Sequence, residues 1–445
     1  MPPRSASSTG KTAAAAAAEA AAPGETGERP VAAPPPSRRR VAFFTIDAFA
    51  SAPFAGNPAA VVLVTFPLTD AERQRIAREL NLSETAFVEV DGRGDERGAD
   101  GGGGSGAGGG GGAFATASRF VLRWFTPTTE VTLCGHATLA AAHVLASELG
   151  NTSPELRFRT VMGAGELVVR RHGGGRERRA AAGAAGAALD GTGGGGASAA
   201  DDGDDVDDED EDTRGMLEMS LPMAQATFKL PPVLETEDAQ RALVRALGLE
   251  LASDSRAAGR WPPEEGRLAA RAVLFAPGGG LNYVLVNCAL LGPSRGPPGA
   301  RAIELLRNLA PDRGALLSAV PPGTGVAGVI VAVEPGEGRG GGDLPGPHTR
   351  YSCASRFFAP WMGIDEDPVT GSAHCVLAPL YDRPPDALLV GMPGERDRWR
   401  WARQCSARGG DVRFKTDCVG KRVLVAGSAT TVVRGEMELP PASLA

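Results

Sequence analysis

G-I-D-E-D-P-V-T-G-S-A-H, residues Gly363 to His374, runs into the apolar stretch Cys375 to Leu380. Asp365, Glu366 and Asp367 precede Pro368, which has no backbone N–H to donate and turns the residue before it away from helix. A pause in regular structure is expected over the acids, and a helix after Thr370-Gly-Ser-Ala373. The first turn of such a helix leaves N–H groups unpaired at the positive end of its dipole, a cradle for an anion.

The device occurs twice. Phe125-Thr-Pro-Thr-Thr-Glu130 passes through Val131 to Cys134-Gly-His-Ala-Thr138 and into the alanine-rich stretch Leu139 to Leu149, helical by propensity. Phe358-Ala-Pro360 passes through the acids to Gly371-Ser-Ala-His374. Each copy is a Phe-x-Pro corner, an acidic loop, a glycine beside a small or polar residue, then a helix. That pattern implies an internal duplication: two similar lobes, with a cleft between them where both helix starts meet an anionic small molecule. A helix apolar almost all round must be buried. Each lobe is therefore expected to wrap a curled mixed or antiparallel sheet, or half-barrel, about its own central helix, an α+β class.

Much of the chain, 445 residues long, is low in complexity. Residues 1–40 are alanine, proline and serine with a few charges; residues 92–118 are nearly all glycine; residues 173–212 run through glycine and alanine into the acidic block Asp201 to Asp212. None buries enough apolar surface to offset the entropy of ordering. They read as a disordered leader and two insertions in surface loops, leaving a core of roughly 300 residues, a two-domain size. The expected partition is an N-terminal lobe over 41–165 and a C-terminal lobe over 166–430. Residues 431–445 form a closing strand and tail, with return to the first lobe as an alternative.

The formal charge of −7 depends heavily on the acidic block, which reads as a solvated loop. No basic stripe argues for nucleic acid. Gly10-Lys11-Thr12 lacks the upstream glycine of a phosphate loop. The 6 cysteines, at 134, 288, 353, 375, 405 and 418, include no C-x-x-C pair; neither a zinc site nor a disulfide framework is indicated, and the expected compartment is a reducing cytoplasm. No apolar run has the length of a membrane span. An organellar transit peptide is the alternative reading of residues 1–40, against which Glu19, Glu25 and Glu28 count.

Along the chain, Val41 to Phe49 and Val61 to Val64 read as strands around the turn Phe54-Ala-Gly-Asn-Pro58. Thr69, with Glu72 three residues on, is a capping box for a helix ending near Leu80. Asn81-Leu-Ser-Glu-Thr85 then turns into a strand over Ala86 to Val90, which puts Glu84 at a strand entrance within reach of a cleft. Strands are also expected at 120–125, 156–160, 166–169, 216–221, 272–275, 283–286, 326–333, 356–359, 412–415, 422–426 and 430–433, with helices at 238–247 and 302–309.

D-A-F-A-S-A-P-F-A-G-N-P-A-A-V-V (Asp47 to Val62), N-L-S-E-T-A-F-V (Asn81 to Val88), R-W-F-T-P-T-T-E-V-T-L-C-G-H-A-T-L-A-A-A (Arg123 to Ala142), the stretch Gly363 to His374, and Q-C-S-A-R-G-G (Gln404 to Gly410) stand in this order. Together they closely resemble the phenazine-biosynthesis PhzF-like family, over about Val41 to Leu439. The resemblance implies the diaminopimelate epimerase fold, two lobes with the site between them. It also implies an isomerase that shifts a proton on a small carboxylate without metal or organic cofactor, homodimeric by family habit. By the same resemblance Glu84 transfers the proton, and His136, Asp367 and Ser372 complete the site. Gly135, Ala137, Gly371 and Ala373 bring backbone at the helix starts to the substrate. A carboxyl group that takes a proton from one carbon and returns it to another works best with its pKa lifted toward neutrality, which burial provides.

Epimerases of this fold pair two cysteines, one per half. Cys134 occupies the first position, but the second half has Thr370 before its glycine. A racemase using Cys134 with another partner is one alternative; a binding or scaffolding protein that kept the fold without the chemistry is another. Without the resemblance, Glu84 is one more surface acid and His136 a helix cap. Asp367 then braces a turn, Ser372 caps a helix, and Cys134 is a small buried hydrophobe. Gln404 to Gly410 reads equally as a pocket wall or as a turn. The mechanistic reading requires Glu84 and Asp367 to face each other across a shared, water-poor hollow.

Overall fold

Both Phe-x-Pro corners occupy the same place in two copies of one ladder. The computed structural model describes residues 39–92, 111–162, 165–172, 215–224, 227, 229–257, 266–277, 282–292, 298–335, 351–381 and 399–440. The first copy contains β1 (Arg39–Ala48), β2 (Asn57–Leu63), β3 (Glu84–Val90), β4 (Arg119–Phe125), β5 (Glu130–Val131), β6 (Glu155–Thr160), β7 (Glu166–Arg171) and β8 (Leu217–Pro222). Pairing runs β1–β2 antiparallel, β2–β3 parallel, β3–β4 antiparallel, β4–β6 parallel, then β6–β7 and β7–β8 antiparallel, with β5 folded back on β4.

The second copy contains β9 (Arg267–Ala276), β10 (Tyr283–Leu291), β11 (Gly328–Val333), β12 (Tyr351–Ala359), β13 (Ile364–Asp367), β14 (Arg400–Gln404), β15 (Gly410–Asp417) and β16 (Arg422–Gly427). It repeats every strand sense in the same order, with β13 folded on β12 as β5 is on β4. An antiparallel pairing of β8 with β16 joins the copies into one sheet. The final strand, β17 (Ala429–Leu439), lies antiparallel to β1 in the first copy. The α+β architecture of two similar lobes is thus observed, as expected.

The boundaries differ from the expected ones. Because β7 pairs with β6 and β8 with β7, the first ladder continues through Pro222 and does not stop at residue 165; a lobe cannot end in the turn of its own hairpin. The acids expected to interrupt regular structure form β13, where the register places Asp367 opposite Phe357. Arg39 and Arg40 of the expected leader belong to β1, opposite Leu439 and Glu438. Residues 1–38 and the insertion at 173–212 lie outside the described residues. So does most of the glycine insertion, but its end forms the short helix α2 (Gly111–Thr116), after α1 (Asp70–Leu80). Phe114 there is 2% exposed, and Asn151 Nδ2 donates to the carbonyls of Phe114 and Ala117 at 2.7 Å each. One aromatic in a glycine run supplied enough apolar area to anchor it.

The sheet carries apolar groups on both faces. Inside, α3 (Gly135–His143) packs on β1, β2, β3 and β8, and every residue from Gly135 to Ala142 is buried. It starts at the glycine, ahead of the expected Leu139, and ends in a π-helical turn over Val144–Glu148. Outside the second copy, α4 (Glu237–Ala246), α5 (Ala252–Ala257), α6 (Pro298–Arg307) and α7 (Arg313–Ala319) follow in order. Leu243, Ile303, Leu306 and Leu316 share one core with Val284, Val329 and Val331. The second inner helix, α8 (His374–Tyr381), packs on β12, β15 and β16. A single inner core holds residues of both inner helices, such as Leu139 and Leu377. Among the described residues no helix is long and apolar enough to cross a membrane.

Helix α1 covers the outer face of the first copy, with Ile76 and Ala77 against Val62 and Phe87. Its capping box is formed: Thr69 Oγ1 accepts from Glu72 N at 3.2 Å, and Glu72 Oε2 accepts from Thr69 N at 2.7 Å. Thr69→Ala is expected to cost about 0.5–2 kcal/mol, read as a lower urea midpoint at unchanged slope.

Candidate active site

The two duplicated helix starts touch. A Cβ placed on Gly135 would lie 3.6 Å from both Gly371 Cα and Ser372 N, and one on Gly371 would lie 3.8 Å from Gly135 Cα. Gly135 begins α3, and Gly371 begins the 3-10 turn Gly371–Ala373 that leads into α8. At both starts the backbone N–H groups lack intrahelical acceptors. Of the other two backbone positions expected to meet substrate, Ala373 donates its N–H to Thr370 O at 3.2 Å, and Ala137 donates its own to the Cys134 sulfur. The side chains of Ala137 and Ala373 belong to the core, 0% and 1% exposed. As the structure stands, these bonds engage the two N–H groups in the helix starts.

Around this junction the structure brings Glu84, His136 and Asp367 together. Glu84 opens β3, and its Oε2 lies 3.2 Å from His136 Nε2, too poorly aligned for a hydrogen bond and so left without one in a buried setting. Asn57, at the start of β2 and 0% exposed, links the rest. Its Nδ2 lies 3.0 Å from His136 Nδ1, 2.7 Å from Asp367 Oδ1 and 2.9 Å from Val369 O. Asp367 Oδ2 accepts from Thr370 Oγ1 at 2.5 Å. Ser372 stands slightly apart, its hydroxyl 2.9 Å from Tyr283 OH of β10.

Among the described residues the expected shared hollow is not seen: Glu84 and Asp367 are linked through His136 and Asn57, and room for a substrate requires the lobes to part. Glu84 and Ser372 are 9% exposed, Asp367 7% and His136 4%. A surface recess lined by Arg241, Arg245, Glu250 and Asp254 shares none of these residues.

The Gln404 to Gly410 motif frames the site. Gln404 Nε2 donates to Asp367 O at 2.6 Å while its Oε1 accepts from Thr370 N at 2.7 Å. Arg408 crosses to the first lobe, donating to Asp47 Oδ1 at 2.7 Å and to Gly56 O at 2.9 Å. Asn57, Gln404 and Tyr283 are absent from the expected site. The only sequence signal for Asn57 is its place in Gly56-Asn-Pro58, which also reads as turn chemistry.

The electrostatics separate the two carboxyls. Burial is the largest influence on Glu84 and opposes its ionisation, but His136, Ser83 and Cys134 together outweigh it and hold its pKa below the ordinary value. The lift expected on Glu84 falls instead on Asp367, which burial raises from 3.8 to about 6, with Glu84 adding to the effect against His136. Burial is the largest influence on His136 and opposes its charge. Cys134 and Glu84 draw its pKa the other way, but the pull of Cys134 needs a thiolate, which a thiol held up at about 11 does not supply at neutral pH, and the amide nitrogen of Asn57 facing Nδ1 disfavours a second ring proton. Burial and Glu84 push the Cys134 thiol up to about 11. His374 is fully buried and taken down to about 4, a neutral ring with Nδ1 3.3 Å from Thr370 O.

A raised acid pKa has a definite sign in stability. The contribution of neutral Asp367 is complete below pH 3.8 and lost as pH rises through about 6. Asp367→Asn carries no such charge, so between those two pH values it is expected to lose less stability than wild type. Urea midpoints at the two ends of the window measure the difference; equal losses in both proteins contradict it. Glu84 acts oppositely and only as pH falls below 4.5.

Glu84, Cys134 and His136 each offer one ligand atom, all within 4.8 Å of one another. A metal on His136 Nε2 would move the ring proton to Nδ1, and Nδ1 faces the amide nitrogen of Asn57, which is only a donor. A ligating histidine needs an acceptor there, so the outer contacts of this set do not fit a metal.

Comparison with known proteins places these residues in context. The phenazine biosynthesis-like protein family matches residues 46–185 and 335–435. An uncharacterised isomerase of Pseudomonas aeruginosa is 32% identical over 89% of this chain and 98% of its own. A phenazine biosynthesis-like domain-containing protein of Mus musculus is 30% identical over 89% of this chain and 99% of its own. A PhzF-family crystal structure from Enterococcus faecalis, 24% identical, superposes with a TM-score of 0.53 over 90% of this chain and all of that one, a likeness of fold.

Proposed function

The chain belongs to the phenazine biosynthesis-like family, and from that premise we propose that it is a cofactor-independent isomerase that shifts a proton on a small carboxylate between its lobes. The observation that carries this reading is the continuous chain Glu84–His136–Asn57–Asp367, which crosses from one lobe to the other beside both helix starts. The name of the Pseudomonas relative, an isomerase, agrees with it.

Glu84 enters the reaction as a carboxylate, held ionised by its neighbours, and removes a proton next to a conjugated acid. Charge then builds on the substrate, where the N–H groups of the helix starts at Gly135 and Gly371 stabilise it. Glu84 returns the proton to another carbon. Asp367, with a pKa near 6, keeps a second exchangeable proton close to working pH. Since the cluster is buried, the lobes part to admit substrate and close to exclude water. Cys134 is a poor competitor for the role of base: a thiol at about 11 is a small fraction thiolate at neutral pH. A homodimer, read by light scattering, is proposed with this function.

The test is incorporation of solvent deuterium into a panel of small unsaturated and amino carboxylates. Exchange in at least one, lost in Glu84→Gln and kept in Cys134→Ala, supports the isomerase. Binding without exchange across the panel supports the catalytically silent protein instead.

A further inference from the structure

Among the described residues, Asn57 touches functional groups of both lobes at once, and the orientation of its amide is fixed by its surroundings. Which end of an asparagine is nitrogen is decided by the groups it meets. Here one end meets Val369 O at 2.9 Å and Asp367 Oδ1 at 2.7 Å. A backbone carbonyl is never a donor, so that end must be the NH2. The other end agrees: Ser83 Oγ stands 3.5 Å from Asn57 Oδ1 and can donate to it.

The same nitrogen lies 3.0 Å from His136 Nδ1. Two donors cannot face each other at that distance in a buried site without a large desolvation cost. We propose that Asn57 is a positioning residue that holds His136 in the tautomer protonated at Nε2 and bare at Nδ1, aiming the ring proton at Glu84. The other groups around the ring are consistent with this. Glu84 Oε2 lies 3.2 Å from Nε2, Ser83 Oγ 3.4 Å from the same atom, and the Cys134 sulfur 3.5 Å from Nδ1. Glu84 thereby faces the protonated ring nitrogen, 3.2 Å away though off line for a hydrogen bond as the lobes stand. Because Asp367 and Val369 belong to the second lobe, the amide takes up this orientation only with the lobes together, so closure and tautomer are set by one contact.

The catalytic consequence rests on the proposed isomerase; the tautomer itself does not, and it is read separately. In protein carrying 15N-histidine, long-range proton–nitrogen spectra distinguish a protonated from a bare ring nitrogen. The His136 signals are those missing in His136→Gln. Wild type at neutral pH is expected to show a bare Nδ1 and a protonated Nε2. In Asn57→Leu, close in size, the two tautomers are expected to mix. In Asn57→Asp, a carboxylate facing Nδ1 is expected to protonate both nitrogens. Deuterium exchange in Asn57→Leu is expected to fall about 10–100-fold, the range that loss of an outer partner costs at metal-bound histidines, taken here as the guide. A proton on Nδ1 in wild type overturns the proposal, whether the variants fold or not. So does an unchanged tautomer in folded Asn57→Leu. Exchange that falls while the tautomer stays as in wild type also overturns it.

Discussion

Replacing Glu84 with glutamine is expected to lower solvent-deuterium incorporation about 10²–10⁴-fold, the span that general acid–base catalysis supplies, while leaving the fold intact. The side chain keeps its length and its place beside His136 Nε2, which lies 3.2 Å from the wild-type carboxylate. What disappears is a carboxylate held ionised by its neighbours, with an Oε2 that no hydrogen bond engages. Asp367 does not replace it, because its Oδ1 and Oδ2 are committed to Asn57 and Thr370. Glu84→Asp withdraws the carboxylate by one methylene and is expected to retain an intermediate rate, since a small misplacement of a reacting group carries a large cost. If Glu84→Gln exchanges deuterium at the wild-type rate with the fold preserved, the mechanism fails. Thermal unfolding of the same preparation supplies the control, with the glutamine variant expected close to wild type.

Phe49→Ala is expected to cost about 3–5 kcal/mol, the usual range for deleting a buried aromatic ring. The ring is 1% exposed and reaches from the end of β1 into the second lobe. There a Cβ on Gly427 would lie 2.4 Å from its Cδ1, and one on Gly371 would lie 3.0 Å from its Cζ. The backbone of Phe49 stands at φ 59°, a region that favours glycine, held there by the carbonyl's bond from Asp411 N at 3.3 Å. Alanine is strained at that angle too, so nothing is regained on substitution. Phe54→Ala nearby, at a side chain 78% exposed, is expected to stay within about 0.5 kcal/mol. Urea unfolding of both decides, and comparable midpoints for the two variants would refute the wedge. Gly427→Ala is expected to destabilise wild type and to do less harm in the Phe49→Ala background, because only the ring occupies that space.

The duplication was legible because its signals are local: a proline that breaks, a glycine that starts a helix, and an apolar run that must be buried, twice in the same order. Strand β1 was read nearly whole for the same reason, but of β10 and β12 only 283–286 and 356–359 were. What escaped lacked a local signature. Strand β14, with Arg400 and Arg403 in its five residues, does not read as apolar, and it pairs because β12 and β15 flank it. Helix α7 is short and is capped by Asp312, whose side chain accepts from Ala315 N, a cap easily taken for a turn.

In the site, Glu84, His136 and Asp367 were named from the resemblance, and the structure sets them side by side. Asn57 was quoted and passed over, because a buried amide shared by two lobes is a tertiary fact with no periodicity. The pKa expectation went wrong for a similar reason. Burial alone raises a carboxyl, and only the position of His136 shows which of the two acids escapes that rise.

The strand β17 pairs with β1, and β1 lies at the opposite end of the sequence. During synthesis the first lobe therefore leaves the ribosome with one edge of its sheet bare, and it stays so until residues 429–439 have been made. A nascent chain in that condition offers unpaired backbone to any neighbouring strand, so a strand made late protects one made early.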